Sequence, residues 1–268
     1  MNQRSLRKVL DRAGLLPVLR RARELAWTAQ FFKANRAFLK SGVPDGLPVP
    51  PAHLRILVAA SPDIAWFLEG GRLGARSVRG ILERNGVPLS NAGPILDFGC
   101  GCGRVLRGFA GSGVSISGSD LNSKLIDWCR LHLPEARFET NGLRPPLPFG
   151  GGEFGLVYSL SVFTHLPEAL QIPWLDELAR VLRPGGHLVF STHGARYVDQ
   201  LSPEERARFE SGQLVVCHDD RPGSNACGAY HPAAYVQTHL PEAFKVLDHI
   251  PEGALGNPWQ DLWLLQRI

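Results

Sequence analysis

From Gly93 onward the chain alternates short apolar runs with helical stretches, and no other feature restricts the fold as strongly. "PILDF" (94–98), "VSISGSD" (114–120), "ARFET" (136–140), "FGLVYSL" (154–160) and "HLVFST" (187–192) read as strands. Helices are expected near 103–110, 122–133 and 168–182. Short apolar strands need cover on both faces, and intervening helices supply it, so the pattern predicts a parallel sheet with right-handed crossovers. "FKVLDHI" (244–250) and "QDLWLLQRI" (260–268) then read as a closing antiparallel pair.

The first half of the chain has another rhythm. Between Pro17 and about Leu39 the residues Val18, Leu19, Ala22, Leu25, Ala26, Ala29 and Phe32 recur at helical spacing, with basic side chains largely elsewhere on the wheel. "SGVPDGLPVPP" (41–51) ends this helix as a connector, and two shorter helices are expected at 61–68 and 72–85. Ser61 would cap the first of them, with Pro62 in its first position. Residues 1–40 hold ten Lys or Arg against Asp11 and Glu24, a charge of +8 within a chain of net +4. Residues 1–50 therefore read as a basic helical extension, suited to an anionic membrane surface or to packing as a lid. Residues 51–268 read as the main domain, with a motif-bearing core at 93–192 and an acceptor-side insertion at about 193–242.

The totals exclude several classes. No apolar run is long enough to span a bilayer, and the basic N-terminus lacks a signal-peptide pattern. The five cysteines are odd in number and lack paired metal spacing, so no metal site is expected and reduced thiols in the cytoplasm are the plainer reading. No basic-aromatic interleaving marks a nucleic-acid surface.

"ILDFGCGCG" places Gly99, Gly101 and Gly103 between a strand and the next element, at the carboxyl edge where open α/β sheets bind ligands. Such glycines also suit a bare tight turn. Asp97 discriminates between ligands, because a carboxylate beside the loop repels a pyrophosphate and favours a cofactor bearing ammonium and sulfonium groups. The dinucleotide spacing fails as well: three residues after Gly101 stands Arg104, neither glycine nor alanine.

On these residues the chain resembles the class I S-adenosylmethionine-dependent methyltransferases over roughly residues 75–268. "ILDFGCGCG", "ISGSDLN" and "RVLRPGGHLVF" (180–190) match that family's motifs in order. The resemblance implies a Rossmann-like seven-stranded α/β sheet, mostly parallel with an antiparallel C-terminal strand, and helices on both faces. It implies S-adenosylmethionine as cofactor, held by Asp97, Phe98, Gly99, Cys100, Gly101, Gly103 and Arg104 of the first motif. Asp120 would take the ribose hydroxyls and Leu121 would lie on the adenine face. Asn141 stands where the family often has an acid near the adenine amine, with Gly142 as a backbone alternative. Ser159, Leu160 and Ser161 would line the methionine end. The Asn-Pro-Pro-Tyr type motif of nucleic-acid amino methylation is absent.

Methyl transfer to a hydroxyl gains from a general base, and histidine suits neutral pH. His193, after the fifth strand, is the leading candidate; His165, after the fourth, is second, and His231 lies in the insertion. The expected activity is O-methylation of a small molecule, glycan or specialised metabolite. The alternatives are a cofactor-binding module without turnover and an NAD-type oxidoreductase.

Overall fold

The computed structural model describes residues 15–257 and 259–268. The first part of the basic extension, residues 1–14, lies outside the described residues. Compact units divide the chain at Leu68/Glu69, further along than the connector at 41–51.

In the first unit, the stretch read as one amphipathic helix is two, α1 (Leu15–Gln30) and α2 (Phe32–Ser41). The break is a local tightening: the Phe31 N–H donates three residues back, to Thr28 O at 3.2 Å, instead of four. α3 (Ala52–Ala59) follows the connector. Its buried Arg55 donates to the Pro62 carbonyl at 2.6 and 3.1 Å and also to that of Pro50, tying together both flanks of the helix. The two helices expected at 61–68 and 72–85 are one continuous α4 (Ile64–Arg84), whose residues from Glu69 on belong to the second unit. The capping position shifts accordingly: Ser61 accepts from Asp63 N–H, and Asp63 accepts from Ala65 N–H at 3.0 Å. "GG" at 70–71 does not stop the helix, because close packing requires small residues there. A Cβ on Gly71 would lie 2.0 Å from the Arg104 carbonyl oxygen.

The second unit is built on the expected parallel sheet. β1 (Ile95–Phe98), β2 (Ile116–Asp120), β3 (Arg137–Thr140), β4 (Phe154–Ser159) and β5 (Leu182–His193) run parallel in the order β3-β2-β1-β4-β5. Between them, α5 (Ser123–His132) is capped by Asn122, whose side chain accepts from Lys124 N–H, and α6 (Glu168–Val181) leads into β5. After α7 (Pro203–Glu210) come two strands absent from the sequence reading, β6 (Val215–Cys217) and β7 (Gly228–Tyr230), forming a ribbon that joins the end of β5 at His193 opposite Tyr230. α8 (Ala233–Thr238) then leads to the closing pair, β8 (Phe244–Ala254) and β9 (Gln260–Arg267). β9 lies antiparallel between β5 and β8.

The helix expected near 103–110 does not form. Gly101 (φ 57°) and Gly103 (φ 74°) keep the chain turning, and only a single 3₁₀ turn follows at Leu106–Phe109. Val105, Leu106 and Phe109 are buried as a helical face would be, so their apolar spacing is a packing signal here.

Apolar side chains fill both faces of the sheet. Phe98 meets Trp174 of α6 at 4.7 Å between rings, while on the other face Phe109 stacks on Tyr158 at 5.2 Å. Trp174 and Trp263 are fully buried, and Trp66 and Trp259 are exposed. The large apolar core leaves the carboxyl edge of β1, β2, β4 and β5 as the place where polar groups collect.

Candidate functional site

At that edge β1 ends in Asp97 and Phe98 and turns at Gly99. Gly99 has φ 82°, and an added Cβ would stand 2.2 Å from Val162 Cγ2, so only glycine fits. The turn lets the N–H groups of Gly99 and Cys100 both donate to Ser119 O of β2, at 2.8 and 2.9 Å. Phe98 points its ring into the core and offers the site only its backbone. Cys100 is buried with Sγ 3.6 Å from the Gly101 carbonyl, and Cys129 Sγ reaches the same oxygen.

Asp97 is 3 % exposed, and its Oδ2 has no hydrogen-bond partner. Burial pushes its carboxyl up from 3.8 to about 7. The neighbouring Tyr158 hydroxyl and, more weakly, Arg104 oppose the shift, while Asp120 adds to it. Tyr158 Oη nevertheless closes no well-formed bond, so the carboxyl keeps an open acceptor. Arg104 is half-buried; it donates to Asn257 Oδ1 at 3.1 Å and leaves its Nε, itself out of solvent, unpartnered. No α-helix N-terminus follows the loop, so the usual anion-binding dipole is missing.

Asp120 closes β2 and behaves differently. Its Oδ2 accepts from Gly101 N–H at 2.9 Å and its Oδ1 from Asn122 N–H at 2.8 Å. Burial raises its pKa, and these two bonds lower it. The bonds fix the carboxylate plane and leave one lone pair on each oxygen, the acceptor set a vicinal diol requires. Leu121 beside it is 47 % exposed, an apolar surface at the mouth of the site. Asn141 donates through Nδ2 to Gly142 O at 2.8 Å and keeps Oδ1 buried and unpartnered. Its free group is thus an acceptor, while Gly142 is exposed beside it.

At the end of β4, Ser159 is fully buried with an unpartnered hydroxyl. Leu160 faces α4 near Gly74, and Ser161 adopts φ 61°. The three histidines come from separate segments and meet next to this turn. His165 and His193 rings are 6.2 Å apart, and Tyr197 and Tyr230 lie 4.1 and 5.3 Å from His193.

Partners fix the histidine tautomers. His165 Nδ1 lies 2.7 Å from Cys227 O and His193 Nδ1 3.2 Å from Ala229 O; a carbonyl only accepts, so both Nδ1 atoms carry the proton and both Nε2 atoms are bare. His231 is the reverse. Gln171 spends its amide hydrogens on Phe163 O and Leu166 O, so its Oε1 accepts from His231 Nε2 at 3.3 Å. His231 Nδ1 is buried without a well-aligned partner. Burial lowers all three pKa values, to about 4 for His193 and about 3 for His231. At neutral pH the cluster carries no charge.

Tyr158, Tyr197, Tyr230 and Gln260 are not among the site residues expected from the sequence. Of the four, only Gln260 stands in a short polar pattern, the "QD" at 260–261. Among the described residues no group of His, Cys, Asp and Glu could hold a metal ion, and no helix is long and apolar enough to cross a membrane.

A family model described as a methyltransferase domain matches residues 95–186. A ubiquinone biosynthesis O-methyltransferase of Thiobacillus denitrificans is 33% identical over 125 residues, covering 41% of this chain and 53% of its own length. An uncharacterized methyltransferase of Synechocystis sp. is 34% identical over 121 residues, covering 43% and 56%. The chain thus spans about half the length of the curated relatives it matches. Among solved structures, an S-adenosylmethionine-dependent methyltransferase of Mesorhizobium loti superimposes with TM-score 0.52 at 19% identity, covering 71% of this chain and 98% of its own. The glycopeptide N-methyltransferase MtfA, complexed with S-adenosylmethionine, gives TM-score 0.51 at 18% identity, covering 73% and 93%. Residues 95–186 thus match a methyltransferase domain, and the sheet that carries them has the fold of S-adenosylmethionine-dependent methyltransferases.

Proposed function

We propose that this chain methylates a hydroxyl oxygen of a small molecule, glycan or specialised metabolite, using S-adenosylmethionine in the cytoplasm. The carrying observation is the pair of carboxylates around the glycine turn. Asp97 offers one buried, unpartnered oxygen, and Asp120 offers one lone pair on each of two oriented oxygens. An ammonium group suits the first and a ribose diol the second. A pyrophosphate suits neither, which removes the support for an NAD-type oxidoreductase.

When bound, S-adenosylmethionine supplies a methyl group activated by a sulfonium. The chain's residues do the rest. Asp97 would hold the ammonium, Asp120 the ribose hydroxyls, Asn141 Oδ1 the adenine amine and Leu121 one adenine face. Ser161 and the end of β4 would line the methionine arm, with the insertion at about 193–242 on the acceptor side. We assign His165 as the general base, since it is less deeply buried than His193 and its bare Nε2 is oriented by Cys227 O. As the acceptor oxygen takes the methyl group, its hydroxyl proton would pass to His165 Nε2. The basic N-terminal segment would add peripheral contact with an anionic membrane.

Calorimetry with S-adenosylmethionine and S-adenosylhomocysteine tests the cofactor. Binding by the wild type and its loss in Asp120→Ala support the reading, whereas a wild type that binds neither overturns it. Labelled-methyl transfer to a cell extract, compared between wild type and His165→Gln, tests the base. Unchanged incorporation would remove His165 from the mechanism.

A further inference from the structure

β9 brings one side chain to the turn after β4. Gln260 opens that strand opposite His193 of β5 and is 4 % exposed. Its Oε1 accepts from Ser191 Oγ at 2.7 Å, and its Nε2 donates to Ser161 Oγ at 3.0 Å. Ser191 Oγ in turn accepts the Ser161 N–H at 2.8 Å, which closes a ring of three hydrogen bonds. Ser191 is fully buried, so water does not compete for the ring. The Tyr197 hydroxyl reaches the same Gln260 amide, linking the ring to the aromatic group around His193.

The ring explains how Ser161 holds φ 61°. A serine enters the left-handed region only where its surroundings over-determine it, and such positions gather where a backbone must be aimed. Both the N–H and the Oγ of Ser161 are held, from two strands, through one amide and one hydroxyl. Ser191 gives its hydrogen to Gln260, and Gln260 gives one amide hydrogen to Ser161 and turns the other to the Tyr197 hydroxyl, so the Ser161 hydroxyl hydrogen is left for an oxygen acceptor. Thr164 Oγ1, at 3.4 Å, is a distant partner for it.

We propose that Gln260 is a positioning residue, locking Ser161 so that the turn after β4 receives the amino-acid arm of the cofactor; this rests on the methyltransferase reading given above. Gln260 is held by Ser161, Ser191 and Tyr197 and makes no hydrogen bond to Asp120 or Asn141, so its effect should be confined to the arm.

Two ligands separate arm from adenosine. S-adenosylhomocysteine carries both, and 5′-methylthioadenosine lacks the amino-acid arm. By calorimetry, Gln260→Met, which keeps length and removes both polar contacts, should weaken S-adenosylhomocysteine about tenfold or more and leave 5′-methylthioadenosine within about twofold. Ser161→Gly, which adopts a positive φ freely, should make a second Gln260→Met change nearly silent. Equal weakening of both ligands, no change in either, or additive effects in the double variant would overturn the assignment. Should Gln260→Met fail to fold, Ser191→Ala cuts the same ring and must show the same selective loss. A wild type that binds neither ligand instead refutes the methyltransferase reading itself.

Discussion

Replacing Asp97 by asparagine should stabilise the ligand-free protein at alkaline pH while weakening its cofactor binding. Burial raises the Asp97 carboxyl from 3.8 to about 7, about 3 pH units, and each unit is worth ~1.4 kcal/mol, so ionising it in the fold costs about 4 kcal/mol. The sign follows from proton counting. Between pH 4 and 7 the folded chain keeps a proton that the unfolded chain has released. Stability therefore falls as pH rises through this window, and the full cost is present above pH 7. The introduced asparagine does not titrate, so the stability of Asp97→Asn relative to wild type should grow from near zero at pH 4 to several kcal/mol at pH 8. At ~2–4 °C per kcal/mol for a chain of this size, the Tm gap should reach on the order of 10 °C. Thermal melts of both proteins from pH 4 to 8.5 read the gap, and shared titrations such as those of the histidines cancel in the difference. Calorimetry should show wild-type affinity for S-adenosylhomocysteine rising with pH through about 7, a rise absent in Asp97→Asn. A Tm gap that stays flat with pH, or a variant less stable than wild type at pH 8, would mean that Asp97 is already paired in the free protein and would refute the reasoning.

The histidine cluster predicts the opposite pH response. The depressed values of about 4 for His193 and about 3 for His231 leave the unfolded chain holding more protons below pH 6.5, so both residues contribute stability that is lost as pH falls. His193→Asn should therefore flatten the wild-type loss between pH 6.5 and 4 by about 3 kcal/mol in urea melts. Gly99→Ala should abolish cofactor binding, since it combines a φ of 82° with a 2.2 Å approach to Val162, and adding Val162→Ala should restore stability only in part. An added Cβ at Gly223 (φ 70°) would stand 2.8 Å from Leu121 Cδ2, while the Gly223 N–H holds His165 O at 2.9 Å. Gly223→Val should accordingly loosen the loop between β6 and β7, read as faster proteolysis within residues 217–228.

Which features could be read from the sequence follows from how local their causes are. Asp97 and Asp120 end apolar runs next to turn glycines, so a few neighbouring residues place both at the carboxyl edge of the sheet. The expected helix at 103–110 failed for an equally local reason that spacing alone conceals: positive φ at Gly101 and Gly103 prevents helical entry, although Val105, Leu106 and Phe109 mimic a buried face. The roles of the histidines were out of reach. Each proton position depends on a carbonyl or amide far along the chain, such as Cys227 for His165 or Gln171 for His231. β6 and β7 are three residues each and show no usable periodicity. Gln260 required the antiparallel register of β9 on β5, where a slip of one residue would turn the side chain to the other face.

The electrostatic division of the site bears on the order of chemical events. Ionisable carboxyls lie at the proposed cofactor end, where Asp120 adds to the cost of ionising Asp97 and a cationic ligand would relieve it. The proposed acceptor end holds three histidines, neutral near pH 7 because burial depresses all of them and a neighbouring histidine further lowers His193 and His231. A base held below the ordinary imidazole value cannot strip a hydroxyl with a pKa near that of a phenol, about 10, in advance, since that equilibrium lies several powers of ten to the left. On the proposed O-methylation, proton transfer to His165 would therefore accompany carbon–oxygen bond formation, when the acceptor oxygen becomes strongly acidic. The same depression would help afterwards: an imidazolium in this setting loses its proton readily, so the proposed base would reset without a dedicated relay. Neutral acceptor groups fit such a surface better than anionic ones, because an anion would find no fixed positive charge on His165, His193 or His231 to hold it.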